Sequence, residues 1–215
     1  MVDDRRGSTQ VLASDRVAFI GRTGSGKTYL ARSMLSRINR LVVLDPKGSL
    51  GSTDWNLSLW ENPDDATLEA PEFRVRVRTP VDGNWDPYIW RIMDLRNVTL
   101  YVDEVYGVIE GTRLSDAMRA VITRGREQGI GVWSSTQRPA SIPLVFISEA
   151  DWFFVFQLRL EDDKRRMSSF LGPMAFRTLK CHNVIVYNDH WDEPRAYRQI
   201  NAAPMSNPPS YQRGL

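Results

Sequence analysis

The stretch that most restricts the fold of this chain is Gly21-Arg22-Thr23-Gly24-Ser25-Gly26-Lys27-Thr28. It fits G-x-x-x-x-G-K-[ST] at every fixed position, and its surroundings agree. An apolar run, Arg16–Ile20, leads in. Helical spacing, with Leu30, Met34, Leu35 and Ile38 on one side, leads out over 27–38. A strand, a Gly-rich turn and a helix in this order form a phosphate cradle. The glycines let the backbone close around phosphate oxygens with N–H groups pointing inward. The helix adds the positive end of its dipole. Lys27 is expected on the β- and γ-phosphates and Thr28 on Mg²⁺. The expected nucleotide-binding set is Gly21, Arg22, Thr23, Gly24, Ser25, Gly26, Lys27, Thr28 and the adjoining Tyr29.

Apolar strands alternate with helices along the rest of the chain. Strands are expected at 41–45, 73–78, 98–103, 130–135 and 152–158. Helices are expected at 86–95, 114–128 and 161–171, and a final hairpin at 184–187 with 195–200. Residues 56–70 read as irregular with a short helix. The pattern predicts an α/β fold: a mainly parallel sheet, helices on both faces and a C-terminal hairpin. One P-loop domain is expected over 16–200, between a polar N-terminal tail (1–15) and a Pro-rich C-terminal tail (201–215).

The second chemical signal is Val98-Thr99-Leu100-Tyr101-Val102-Asp103-Glu104, an apolar strand ending in two carboxylates. Asp103 is expected in the Mg²⁺ shell. Glu104 is expected to take a proton from the attacking water. The chain lacks the N-K-x-D loop of a switch GTPase and the S-G-G-Q-like signature of an ABC transporter. The pair instead points to an ATPase with an extra strand between the P-loop strand and the acidic one. Residues 130–135 then supply the next strand, and Gln137 at its end is expected to sense the γ-phosphate or hold the water. Phosphoryl transfer also needs positive charge on the γ-phosphate, which an arginine finger from a neighbouring subunit can supply. Arg124 and Arg126 are the two expected sources, with Arg126 preferred.

Composition limits the partners. The chain has 28 basic and 26 acidic side chains, a net charge of +2. Any contact with nucleic acid must therefore use a local patch or a ring of subunits. Arg74, Arg76 and Arg78 share one strand face and form the expected DNA-facing or subunit-facing cluster. Lys164-Arg165-Arg166, beside Asp162 and Asp163, reads as a solvated helix face, and Arg5-Arg6 lies in the tail. A core or subunit-contact role is expected for most of the seven Trp residues. The single cysteine, Cys181, excludes an internal disulfide and suits a reducing compartment. The apolar stretch 142–160 is interrupted by Pro143, Glu149 and Asp151, so no transmembrane segment is expected.

Four pieces occur in order: the P-loop, Leu41-Val42-Val43-Leu44-Asp45-Pro46-Lys47-Gly48, the Asp103-Glu104 pair, and the run from Arg124 to Pro139 ending Thr136-Gln137-Arg138-Pro139. Together they resemble the FtsK/HerA superfamily of ring-forming, DNA-pumping ATPases, a RecA-like branch of the P-loop fold. The resemblance covers roughly residues 16–200. Its more specific pieces are the D-P-K step and the T-Q-R-P step with Ile142-Pro143 nearby. It implies ATP and Mg²⁺ as cofactors, Lys27 and Thr28 on phosphate and metal, Asp103 on metal, Glu104 as base and Gln137 as sensor. It also implies Arg126 serving the adjacent subunit, and a homo-oligomeric ring, usually a hexamer, around sequence-independent double-stranded DNA. The small size is similar to the genome-packaging ATPases of internal-membrane DNA viruses. That implies action in the host cytoplasm, with contacts to a capsid vertex or membrane-associated viral proteins. The alternatives are a plasmid, conjugative or chromosomal DNA translocase, or an ATP-switched assembly protein that moves no DNA.

Overall fold

A computed structural model describes residues 10–198, apart from 65, 81 and 110–112. Arg5-Arg6, residues 1–9 of the expected N-terminal tail (1–15), the expected C-terminal tail (201–215) and the end of the expected strand 195–200 lie outside the described residues. The elements are β1 (Arg16–Ile20), α1 (Lys27–Leu35), β2 (Arg40–Asp45), α2 (Ser52–Trp55), β3 (Ser58–Leu59), β4 (Phe73–Arg78) and α3 (Asp86–Leu95). There follow β5 (Thr99–Val102), α4 (Asp116–Arg124), β6 (Gly131–Thr136), α5 (Val145–Ser148), β7 (Trp152–Val155), α6 (Glu161–Leu171), β8 (Val184–Asn188) and β9 (Arg195–Tyr197).

The strands form one sheet in the order β3-β4-β2-β5-β6-β1-β7-β8-β9. Pairing is parallel from β3 to β7 and antiparallel from β7 to β9. The expected α/β architecture and C-terminal hairpin are present. So is the inserted strand: β6 lies between β1 and β5, with Ala18 opposite Ser134 and Leu100 opposite Val132.

Alternation within each strand builds two cores. Val17 and Phe19 of β1 join Leu41, Val43, Tyr101, Trp133 and Phe154 beneath α1. Ala18 and Ile20 join Val42, Leu44, Leu100 and Val102 against α3, α4 and α6. A parallel sheet covered on both faces needs apolar side chains at successive positions, and β1 and β5 are buried throughout. Trp55, Trp60, Trp85, Trp133 and Trp152 are buried, so the tryptophans serve mainly the core.

Some boundaries differ from the sequence pattern. The expected helix over 114–128 stops at Arg124 and tightens into a 3₁₀ turn, Gly125–Gln128. Its start is fixed by Ser115, whose Oγ accepts the Met118 N–H at 3.2 Å. β7 ends three residues earlier than expected, because Phe156 and Gln157 turn to meet the P-loop (Phe156 N–H to Ile20 O, 2.7 Å; Arg22 N–H to Gln157 O, 3.0 Å). The stretch read as irregular contributes the edge strand β3, pinned by the Trp60 N–H on Arg76 O at 2.9 Å. No helix among the described residues is long and apolar enough to cross a membrane.

Candidate nucleotide site

The parallel strands deliver every expected phosphate-chemistry residue except Arg124 and Arg126 to their C-terminal ends. β1 runs directly into the P-loop, where the Gly21 N–H donates to Thr136 O at 3.2 Å. The loop is therefore anchored between the ends of β6 and β7. Gly26 caps α1 with φ +106°, and a Cβ there would lie 3.2 Å from His182 Cδ2. Both the backbone angle and the close ring favour glycine. No side chain caps α1, and its first turn carries no acidic residue, so its N-terminal amides face a site open to an anion. Ser25 Oγ is buried without a hydrogen-bond partner, a vacancy that a phosphate oxygen would fill.

Lys27 is buried at 6% exposure. Its Nζ donates to Gly21 O at 2.6 Å and Arg22 O at 3.0 Å. Burial pulls its ammonium down to about 8, against the opposing pull of Glu104 and Asp103. Thr28 and Tyr29 are exposed at the start of α1, and Cys181 Sγ lies 3.8 Å from Gly24 O.

β5 ends at the acidic pair. Asp103 is buried, and its N–H extends the β2–β5 ladder to Leu44 O at 3.0 Å. Burial pushes its carboxyl up, while the Tyr101 hydroxyl, donating to Oδ1 at 3.0 Å, opposes the shift. Glu104 has φ +74°, a left-handed conformation that costs a non-glycine residue on the order of 1 kcal/mol. The turn aims its carboxylate across these strand ends. Oε1 accepts the Gln137 N–H at 3.3 Å, and Oε2 lies 3.4 Å from Lys47 Nζ. The Gln137 side chain reaches the P-loop itself, its Oε1 accepting from Thr23 Oγ1 at 2.5 Å. Gln137 thus joins the loop to the acidic pair.

Lys47 was visible in the D-P-K step only as a family marker. Strand order supplies its role, since β2 is the other neighbour of β5 and brings Lys47 beside Glu104. Asp45, fully buried, builds the turn by accepting the Ser49 and Leu50 N–H groups at 3.2 and 3.0 Å.

One arginine expectation changes. Arg74, Arg76 and Arg78 do not present a common cationic face. Arg74 donates to Leu35 O at 2.9 Å, to Trp55 O at 3.1 Å and to Ile38 O, and burial lowers its pKa. Arg76 is buried beside Asp45 at 3.5 Å and donates to Leu50 O. Only Arg78 of the three is exposed. The repulsion that made the cluster look like a partner surface is relieved inside the molecule by carbonyls and Asp45. The 164–166 cluster is only partly solvated: Arg165 is exposed, 3.8 Å from Asp162, whereas Lys164 is half-buried on Glu161 at 2.6 Å, Arg166 donates to Ala140 O at 3.5 Å and the adjacent Asp163 is buried on Arg138.

Arg126 lies at the opposite, N-terminal end of the central strands. It pairs with Asp151 at 2.9 Å, and Asp151 Oδ2 accepts the N–H of Arg16, the first residue of β1. The P-loop leaves the other end of β1, about 16 Å away at strand rise. Arg124, at the C-terminus of α4, is exposed on this same side. Neither guanidinium can serve the P-loop of its own chain.

Residues 8–135 match the family described as helicase HerA, central domain. The DNA packaging ATPase P9 of Enterobacteria phage PRD1 is 27% identical over 169 residues, which cover 73% of this chain and 70% of that protein. Among solved structures, the genome packaging NTPase B204 of Sulfolobus turreted icosahedral virus 2, in complex with AMPPCP, superposes with a TM-score of 0.72 at 21% identity. The match covers 88% of this chain and 100% of that one. ATPases 2 and 3 of EssC from Geobacillus thermodenitrificans give a TM-score of 0.56 at 13% identity, with 82% of this chain and 38% of that one covered.

Proposed function

Since the chain belongs to the helicase HerA central-domain family and is a P-loop ATPase, we propose that it powers a viral genome-packaging motor that moves double-stranded DNA into a preformed capsid. The observation that carries this reading is the likeness to packaging ATPases of similar extent, P9 in sequence and B204 over its whole length in fold.

The chemistry follows from the C-terminal strand ends. The P-loop amides, Ser25 and Lys27 bind the phosphates. Thr28 and Asp103 would hold Mg²⁺, an ion that characteristically takes one or two carboxylates and completes its shell with water and substrate phosphate. The ion supplies positive charge to the phosphate oxygens. Glu104 takes the proton of the attacking water, with Gln137 fixing the distance between that base and the loop. Arg126 of one subunit completes the site of the next, consistent with its distance from its own P-loop. Head-to-tail contacts of that kind build a ring, here assigned as a hexamer working in the host cytoplasm at the capsid vertex.

DNA is held through its phosphates, so the interaction weakens as salt rises. The test is ATP hydrolysis with and without long duplex DNA across a salt series, with oligomeric mass measured in parallel. Stimulation by duplexes of unrelated sequence, lost at high salt, is expected. Hydrolysis indifferent to DNA at every salt concentration would remove the translocase reading and leave an ATP-switched assembly protein.

A further inference from the structure

Both oxygens of the Glu104 carboxylate are engaged, one by the Gln137 N–H and the other by Lys47. Lys47 does not reach this position on a loose tether. Asp45 holds two amides of its turn, Arg76 holds Asp45, and Pro46 packs so closely on Gly107 that a Cβ there would lie 2.6 Å from it. The backbone is rigid, whereas the ammonium end is free to swing: the Lys47 side chain is 49% exposed and that of Glu104 only 12%. An ion pair with one solvated partner is weak and readily exchanged. The stem has four carbons and ends in a compact point charge.

The strand order β2-β5-β6-β1 puts Lys47 on one side of Glu104 and Lys27 with Gln137 on the other. Lys27 feels the charges of Glu104, Asp103 and Lys47, so the four groups lie near one another beside the P-loop. A γ-phosphate brings more negative charge than the single carboxylate it competes with.

Building on the ATPase reading, we propose that Lys47 is a γ-phosphate sensor that restrains Glu104 while the site lacks a triphosphate and transfers its ammonium to the γ-phosphate when ATP binds. The transfer frees Glu104 Oε2. Glu104 then takes a proton from water as the water oxygen bonds to the γ-phosphorus. The bond from that phosphorus to the bridging oxygen breaks, its electron pair leaving with ADP. ADP lacks the group that draws Lys47 away, so after phosphate leaves, the restraint returns.

The experiment measures equilibrium affinities of the full chain for ADP and for a non-hydrolysable ATP analogue, alongside turnover. Lys47→Met keeps the alkyl stem and removes the charge. It is expected to weaken the analogue by about tenfold, the size of one charge-assisted hydrogen bond, to leave ADP unchanged, and to lower turnover. Lys47→Arg is expected to restore most of the analogue's advantage. Glu104→Gln, which removes the competitor for Lys47, is expected to tighten the analogue in the parent chain but not in the Lys47→Met background. Equal losses for both nucleotides would mean that the turn has collapsed, and would overturn the proposal. So would unchanged affinities, or faster turnover with no change in nucleotide preference. A parent chain that binds nucleotide without hydrolysing it would instead contradict the ATPase reading, and the affinities would still judge Lys47.

Discussion

Thr23 Oγ1 donates a hydrogen bond to Gln137 Oε1 at 2.5 Å, joining the tip of the P-loop to the end of β6. The Gln137 N–H also donates to Glu104 Oε1 at 3.3 Å, so one residue links the loop tip to the proposed base. Gln137→Ala is therefore expected to lower turnover by about 10²–10³, as loss of a transition-state donor does. Nucleotide affinity should change by less than about threefold, within what one neutral hydrogen bond supplies. Phosphate release and fluorescent-nucleotide titration separate the two. An affinity loss as large as the turnover loss would make Gln137 a binding group.

Glu104→Gln keeps the shape of the side chain and removes its capacity to accept a proton. Turnover should fall by about 10²–10⁴ with nucleotide binding retained. Single-turnover measurements with prebound ATP would check this directly. Normal turnover would move the base elsewhere.

The Lys27 ammonium lies near 8 in the folded chain, against 10.5 in the open one. Between those values the unfolded chain binds more protons, so the Lys27 contribution to stability improves as pH rises through that window. Nucleotide affinity runs the other way. Bound phosphate favours the charged lysine, so binding takes up a proton once pH exceeds about 8. The dissociation constant is expected to be flat from neutral pH to that point, then to rise by about tenfold per pH unit at most. A titration flat to high alkaline pH would contradict it.

Arg76 and Asp45 form a buried ion pair, and Asp45 also holds the turn that carries Lys47. Arg76→Ala leaves a buried carboxylate without its cation and is expected to cost about 3–5 kcal/mol in denaturant unfolding. Arg78→Ala, at an exposed position of the same strand, should stay within about 0.5 kcal/mol. Equal effects would contradict the separate roles described for them.

Arg126 lies at the strand end remote from its own P-loop, held by Asp151. Arg126→Ala and Lys27→Ala chains should each lack turnover alone and recover part of it when mixed, because some interfaces then pair an intact arginine with an intact loop. No recovery at any ratio would rule out Arg126 as a group acting between subunits.

The fold was largely legible because its determinants are local: apolar strands, the Gly-rich turn, and the carboxylates closing β5. The inserted strand could be inferred from Glu104 standing beside Asp103 at the end of β5, and β6 occupies that position. The pairing partners of charged groups were not legible. Arg74 and Arg76 look like a surface stripe in sequence, and only the approach of the α1 and α2 ends shows that carbonyls absorb them. Lys47 was hidden for a related reason. Its meaning depends on β2 being the neighbour of β5, a relation between segments far apart in the chain.

The sheet has two unlike ends: the P-loop and Glu104 at one, Arg16, Arg126 and Asp151 at the other. Copies that join one end to the other cannot satisfy each other reciprocally, as a symmetric pair would. If Arg126 serves the neighbouring site as proposed, every open string of copies would keep one terminal nucleotide site without a partner's arginine and one terminal arginine without a site. Closing the string removes both loose ends in a single contact. Assembly would then be cooperative at its last step, and a missing subunit would silence a neighbour as well as itself.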